Sequence, residues 1–472
     1  MSVFIPEDSP REECGVFGIW GCEQAQVFTH FGLYALQHRG QESAGIAARV
    51  SPTGLRLKRD MGLVSEVFSA EDIVDLESDA ALGHVRYSTT GSSSAANAQP
   101  LVVRMKSTSV ALAHNGNLVN ARALREGLES SGSIFQTTAD TEVVAHLAAR
   151  ESAKGIREGL LAALQQVRGA YAMVVLTPDG LFAARDPNGF RPLCLGRLGS
   201  GWVVASETCA LDAVGAVFVR DVGPGEFLSI DDDGLTSGHI GDAVGKPSLC
   251  IFEYIYFARP DSDIAGHNVH LVRKQLGRLL ARDHHVEADV VTGVPDSSIS
   301  AATGYAEEAG IPYEMGLVRN RYIGRTFIQP GDALRQRGVK LKLNPLRKVV
   351  KDRRVVLVDD SVVRGTTSKI LVRLLREAGA REIHLRISSP PYRHPCYYGI
   401  DTSARGQLIA SERSVEEIRS MVGADSLEFL SVERVAEAAG GDPSEYCVAC
   451  FMGDYRVPID PDGDKDSLEG SP

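Results

Sequence analysis

The apolar positions of this chain follow two rhythms. From Cys14 to about Ser229 they form short runs of strand length, among them Gly15-Val16-Phe17-Gly18-Ile19-Trp20, Val110-Ala111-Leu112-Ala113-His114 and Tyr171-Ala172-Met173-Val174-Val175-Leu176. Between these runs, apolar residues recur at helical spacing over about 26–37, 141–153 and 156–167. Strands in close succession before and after the helices predict an α+β arrangement, antiparallel sheets covered by helices, rather than strict βαβ order. The polar stretch Asp231-Asp232-Asp233-Gly234 and the Gly-rich residues 241–247 predict a domain boundary.

Beyond the boundary the rhythm becomes apolar strand, turn, helix. Ala288-Asp289-Val290-Val291-Thr292-Gly293 precedes a helical pattern from about Ser297, and Arg354-Val355-Val356-Leu357-Val358 precedes another over about 366–378. Such units predict an α/β domain with a parallel sheet and a site at the carboxyl ends of its strands. The expected divisions are 14–243, 244–456 and an acidic, disordered tail at 457–472, where Asp460, Asp462, Asp464, Asp466 and Glu469 stand among Pro and Gly. No internal repeat is evident.

Composition narrows the function classes. The chain has 472 residues, 43% hydrophobic and 24% charged, as expected of a globular protein of about two or three domains. A net charge of −11 argues against a nucleic-acid partner held by bulk positive charge. No run approaches the roughly 18 apolar residues of a membrane span, and residues 1–13 lack a basic patch followed by an apolar stretch. The expectation is a cytoplasmic protein bound to neither membrane nor nucleic acid. Eight cysteines are too few for a disulfide scaffold in a chain of this length.

The segment Val355-Val356-Leu357-Val358-Asp359-Asp360-Ser361-Val362-Val363-Arg364-Gly365-Thr366-Thr367-Ser368 carries the most chemistry. A buried strand ends on two carboxylates, and a Gly- and Thr-rich turn opens a helix whose backbone N–H groups can cradle an anion. Like charges repel, so the carboxylates call for sugar hydroxyls or a cation such as Mg2+. An isolated Asp-Asp pair would more often cap a turn. The whole pattern from Val355 to Thr367, however, resembles the phosphoribosyl-pyrophosphate signature of type I phosphoribosyltransferases. Gly293-Val294-Pro295-Asp296-Ser297-Ser298 resembles their pyrophosphate loop. The basic segment from Arg319 to Thr326 fits either a solvated face or a mobile lid that excludes water. The resemblance implies that Asp296, Ser297, Arg325, Asp359, Asp360, Ser361, Arg364, Gly365, Thr366 and Thr367 bind phosphoribosyl pyrophosphate. It also implies one Mg2+ per subunit at Ser297, Asp359 and Asp360.

In the first half, Cys14 opens a strand, and alone it would more often be a small core residue than a nucleophile. Four segments follow it in order: Leu36 to Gly45, Gly83 to Thr89, Ala113 to Leu118, and Ser133 with Thr138 to Glu142. Together they resemble the class II glutamine amidotransferase domain of the N-terminal-nucleophile hydrolases, an αββα sandwich. The resemblance makes Cys14 the nucleophile once a pro-peptide, residues 1–13, has been removed to free its α-amine as the base. It assigns the oxyanion to the Asn115 side chain and the Gly116 N–H, the glutamine α-carboxylate to Arg86, and the α-ammonium to Asp140. For Arg86 and Asp140 alone, a surface ion pair would be the plainer assignment.

Cys447-Val448-Ala449-Cys450, with Cys250 and Cys396, could bind Zn2+ or a [4Fe–4S] cluster, and spacing does not separate the two. A lone Cys-x-x-Cys could also be a redox pair or carry no function. From Cys14 to about Tyr455 the chain resembles the amidophosphoribosyltransferase family in its iron–sulfur, pro-peptide-bearing branch. That resemblance implies one [4Fe–4S] cluster per subunit at these four cysteines, structural and open to an oxygen-sensing role, and leaves Cys22, Cys194 and Cys209 as ordinary thiols. It further implies synthesis of 5-phosphoribosylamine, glutamate and pyrophosphate from glutamine, water and phosphoribosyl pyrophosphate, with a dry ammonia passage between the sites. Purine-nucleotide feedback inhibitors and a homotetramer or homodimer are implied as well. A glucosamine-phosphate synthase would carry a sugar-isomerase half in place of the Asp359-Asp360 segment, and a non-catalytic diphosphate sensor would not need the first half.

Overall fold

The computed structural model describes residues 14–51, 54–87, 93–106, 108–241, 245–320, 343–402 and 405–459. The first half contributes β1 (Gly15–Trp20), β2 (Ser43–Ser51), β3 (Gly54–Met61), β4 (Ala80–Arg86), β5 (Leu101–Met105), β6 (Thr108–Leu118), β7 (Gly169–Thr177), β8 (Gly180–Arg185), β9 (Cys194–Leu198), β10 (Gly201–Ala205), β11 (Val217–Asp221), β12 (Glu226–Asp231) and β13 (Gly234–His239). They form a seven-stranded sheet, β11-β9-β10-β1-β4-β2-β3, and a six-stranded sheet, β13-β12-β8-β7-β6-β5.

The two-residue period of a strand explains the layering. Val16 and Trp20 of β1 pack with Ala111, Ala113, Ala172 and Val174 in the seam between the sheets. Phe17 and Ile19 point the other way, onto Leu33 and Leu36 at the helix Ala25–Ala35 and Leu211 of the helix Thr208–Val214. On the far side, Leu112, Met173 and Val175 pack against Val143, Leu147 and Leu160 of the helices Thr141–Glu151 and Ile156–Leu164. Both sheets are thus covered by helices, the expected αββα sandwich. The helices stop short of the predicted ends: Thr141–Glu151 gives way to a 3-10 turn at Ser152–Lys154.

One expectation needs correcting. Asp231-Asp232-Asp233-Gly234 is not at the boundary but is the hairpin turn of β12 and β13, where Asp231 pairs with Gly234. Its polarity reflects turn chemistry within the first half.

In the second half the strands Val290–Gly293, Arg354–Asp359, Glu382–Ile387 and Ser426–Phe429 form one parallel sheet in that order. Val356 and Val358 face a core shared with the helices Val269–Asp283 and Ile299–Ala309. Val355 and Leu357 face the helices Thr366–Glu377 and Val415–Val422. Burial on both faces is why this strand reads as an unbroken apolar run. Among the described residues no helix is long and apolar enough to cross a membrane.

Candidate active sites

Cys14 lies just before β1, and the pairing of Gly15 with Val85 on β4 sets it beside Arg86 and Tyr87. Its thiol donates to the Tyr87 carbonyl at 3.3 Å, and its carbonyl accepts from Arg39 Nε at 3.1 Å. Burial pushes the thiol up to about 11 against the pull of Arg86, with Glu42 and Asp140 adding to the rise. At neutral pH the sulfur therefore carries its proton and needs a base to become a nucleophile.

Asn115 and Gly116 lie on β6, opposite Ala172 and Tyr171 of β7. Asn115 is 1% exposed, yet neither Nδ2 nor Oδ1 has a hydrogen-bond partner among the described residues. A buried amide left this way costs about 1–3 kcal/mol unless a water or ligand meets it. Gly116 has φ +139°, and a Cβ there would stand 2.0 Å from the Ala170 carbonyl oxygen, so no other residue fits.

Beneath them, burial drives His84 down to about 3, and the neutral ring donates from Nε2 to the His114 carbonyl at 3.0 Å, tying β4 to β6. Asp140 accepts from the Leu118 N–H at 2.9 Å and faces His114 Nδ1 at 3.5 Å. Burial opposes its ionisation, but His114 and the backbone donors outweigh it and keep the carboxylate charged.

Behind Cys14, Arg39, Glu207 and Glu253, none of them a predicted site residue, form a fully buried ion network. Arg39 Nη1 donates to Glu207 at 2.6 Å and to Glu253 at 2.9 Å, and Nη2 donates to Glu253 at 2.8 Å. Arg39 could be singled out within its motif; Glu253, 214 residues away and in the other half, could not.

At the second site the strands ending at Gly293 and Asp359 are neighbours, which brings the two predicted loops together. Ser297 Oγ donates to Asp360 Oδ2, Ser361 Oγ donates to Asp360 Oδ1 at 2.7 Å, and Ser298 Oγ donates to Asp359 Oδ1 at 3.1 Å. Burial raises the Asp360 carboxyl above its ordinary value, and the serine hydroxyls and Arg273 only partly offset this. Two adjacent buried carboxylates with hydroxyl neighbours suit a hard divalent cation, which commonly takes one or two carboxylates and completes its shell with phosphate oxygens and water. Gly365 precedes the helix Thr366–Glu377, whose first turn holds Thr366 and Thr367. Arg364 reaches Gln407 at 2.6 Å, and Asp296 pairs with Arg319 at 3.6 Å. Arg325 and the predicted lid beyond Asn320 lie outside the described residues.

Cys250, Cys396, Cys447 and Cys450 line one cavity with Phe190, Arg191 and Tyr398. The parallel pair Leu249–Cys250 and Tyr446–Cys447 sets two of them side by side. Burial, then the neighbouring thiols, pushes Cys450 well above the ordinary thiol value. Among the described residues no three His, Cys, Asp or Glu side chains gather closely enough for a single metal ion. Four cysteines around one cavity are the donor set by which iron–sulfur clusters are held. Cys22, Cys194 and Cys209 are buried, away from this cavity.

Residues 84–213 match the glutamine amidotransferase domain family and residues 270–397 the phosphoribosyl transferase domain family. The amidophosphoribosyltransferase of Bacillus subtilis (strain 168) is 54% identical over 454 residues, 95% of each chain. The chain belongs to the amidophosphoribosyltransferase family. A chloroplastic amidophosphoribosyltransferase 2 of Arabidopsis thaliana is 50% identical over 97% of this chain and 82% of its own. Among solved structures, a glutamine phosphoribosylpyrophosphate amidotransferase from B. subtilis complexed with ADP and GMP superposes with a TM-score of 0.92. It is 52% identical and is matched over 97% of this chain and 100% of its own.

Proposed function

We propose that this chain transfers the amide nitrogen of glutamine to phosphoribosyl pyrophosphate, giving 5-phosphoribosylamine, glutamate and pyrophosphate at the committed step of de novo purine synthesis. The observation that carries this reading is the pairing, in one amidophosphoribosyltransferase-family chain, of a buried thiol beside Arg86 with the Asp359-Asp360 edge of a parallel sheet.

Removal of residues 1–13 turns the Cys14 nitrogen into an α-amine with a reference pKa of about 7.7–8.0, a base matched to neutral pH. The sulfur attacks the glutamine side-chain carbonyl, and the C–N bond breaks to release ammonia and leave a thioester, which water hydrolyses to glutamate. Arg86 forks onto the α-carboxylate and Asp140 accepts from the α-ammonium. The Asn115 amide and the Gly116 N–H hold the oxyanion. Asp359 and Asp360 take the ribose hydroxyls, while the 364–367 turn, the backbone N–H groups of the loop at Asp296 and the Arg325 guanidinium take the phosphates. Ammonia then bonds to ribose C1 as pyrophosphate leaves. Bulk water would protonate the ammonia, so a dry passage between the sites is required, closed by the 319–326 segment.

Ser297, Asp359 and Asp360 would hold one Mg2+ per subunit, which would supply positive charge against the diphosphate. Cys250, Cys396, Cys447 and Cys450 would hold one [4Fe–4S] cluster per subunit, which would clamp the C-terminal segment onto the rest of the second half. Purine nucleotides act as feedback inhibitors, in line with the ADP and GMP named for the B. subtilis relative. The working form is a cytoplasmic homotetramer or homodimer, with domains 14–243 and 244–456.

The test is pyrophosphate release and phosphoribosylamine formation with glutamine or with ammonia, together with the amino-terminal mass and iron content of the active protein. The expectation is synthesis from either nitrogen source, a chain beginning at Cys14, and about four irons. A protein that consumes glutamine but never makes phosphoribosylamine overturns the activity. A fully active chain beginning at Met1 overturns the leader, and stoichiometric zinc overturns the cluster.

A further inference from the structure

The turn Tyr397-Tyr398-Gly399, which follows Cys396 in the second half, is seated on the strand end that carries Asn115 and Gly116. Asn117 Nδ2 donates to the Tyr397 carbonyl at 2.9 Å across 280 residues of sequence. The buried Arg191 donates from Nε and Nη2 to the Tyr398 carbonyl at 3.2 and 2.5 Å. The Tyr398 ring stacks on Phe190 with centroids 4.4 Å apart.

At Gly399, φ is +116°, and a Cβ would stand 3.2 Å from both the Cα and the carbonyl carbon of Gly116 and 2.8 Å from Arg191 Nη2. The backbone of Gly116 is therefore closed in from two sides, by the Ala170 carbonyl within its own sheet and by Gly399 from the other half. All three residues of the turn contact the first half; Asn117, Arg191 and Phe190, which hold Tyr397 and Tyr398, lie outside the glutamine-binding set, and Gly399 rests on Gly116 itself.

An oxyanion donor works only if it stands about 2.7–3.1 Å from where the charge will form, and a misplacement on the order of 1 Å costs about a hundredfold. We propose that Tyr397–Gly399 is a positioning element for the glutaminase reaction: the second half sets the Gly116 backbone, so full amide cleavage requires this turn to be docked. The inference rests on the reading of Asn115 and Gly116 as the oxyanion donors. It goes beyond that reading by placing part of the glutaminase machinery in the transferase half. Because Cys396 opens the turn, the same segment ties the cysteine-lined cavity to the amide-cleaving site.

The test uses the full-length, processed enzyme carrying Gly399→Ala, which crowds Gly116, or Asn117→Ala, which removes one bond. For Gly399→Ala the expected result is a fall of about tenfold or more in glutamine-dependent kcat, with KM for glutamine and ammonia-dependent synthesis within about twofold of wild type. Affinity for the γ-aldehyde analogue of glutamine, which forms a tetrahedral adduct on the thiol and needs the oxyanion hole, should fall by the same factor, while glutamate binds as before. Asn117→Ala should show the same pattern at about threefold, and it decides alone if Gly399→Ala does not fold.

Wild-type glutamine turnover and aldehyde affinity in the variants, or equal loss of the glutamine- and ammonia-dependent reactions, would overturn the proposal. Asn115→Ala separates the two levels. If that variant keeps full glutamine turnover, the oxyanion assignment falls and the proposal with it. If it loses turnover while Gly399→Ala does not, only the role of the turn falls.

Discussion

The first half keeps the Cys14 sulfur and the unpartnered Asn115 amide buried at the sandwich, whereas the second half leaves Asp296 and Thr366 in solvent and buries Asp359, Asp360 and Ser361 behind them. The difference follows from what each site must take in. Amide cleavage needs a proton moved off a thiol and an oxyanion held in a dry place, where fixed dipoles act most strongly. A ribose diphosphate carries several charges and its own water, so its phosphate cradle must stay open until it binds. Between the two runs the buried Arg39–Glu253 fork: Arg39 donates to the Cys14 carbonyl and is itself held by Glu253 of the other half.

Four outcomes would break or sharpen that contrast. Cys14→Ser should lower glutamine-dependent synthesis by about 10⁴-fold or more and leave the ammonia-dependent rate intact. Asp359→Asn with Asp360→Asn should remove both, and survival of the ammonia reaction would take the carboxylates out of the transfer. Next in size, Asn115→Ala should lower glutamine-dependent kcat by about 10²–10³-fold, read against unchanged ammonia kinetics. Glu253→Gln leaves Arg39 short of a buried partner and should destabilise the protein by about 3–5 kcal/mol, measured as a lowered denaturant midpoint; an unchanged midpoint would remove the network as a link between the halves.

The smallest effect is that of pH on stability. Burial works against ionisation of Glu207, but His38, Arg39 and the Ser262 hydroxyl outweigh it and hold its carboxyl well below the ordinary value of 4.5. The unfolded chain therefore takes up a proton there before the folded one does. The stabilisation is complete above about pH 4.5 and is lost as pH falls below it. Glu207→Gln should flatten that acid limb of the melting-temperature profile, and an unaltered limb would argue against the ionised pair.

Much of this was legible in the residues themselves. The run Val355 to Val358 is apolar because its sheet is covered on both faces, and it ends on carboxylates because strand ends of a parallel sheet meet solvent and ligand. β1 could be delimited to the residue, Gly15–Trp20, because a short apolar run holding Gly, β-branched and aromatic residues stands there. The acidic turn after β12 misled, since polar Gly-containing loops mark hairpins as readily as boundaries.

Local pattern, cap and turn chemistry determined the elements, the two rhythms and the motif residues, because those depend on neighbours a few positions apart along the chain. Only the tertiary structure decided that the Asn115 amide is left unpartnered, that Glu253 closes on Arg39, that the four cysteines share one cavity, and that Gly399 rests on Gly116. Each of these joins segments far apart in sequence, and such contacts are specified by how whole layers pack rather than by any stretch that could be read alone.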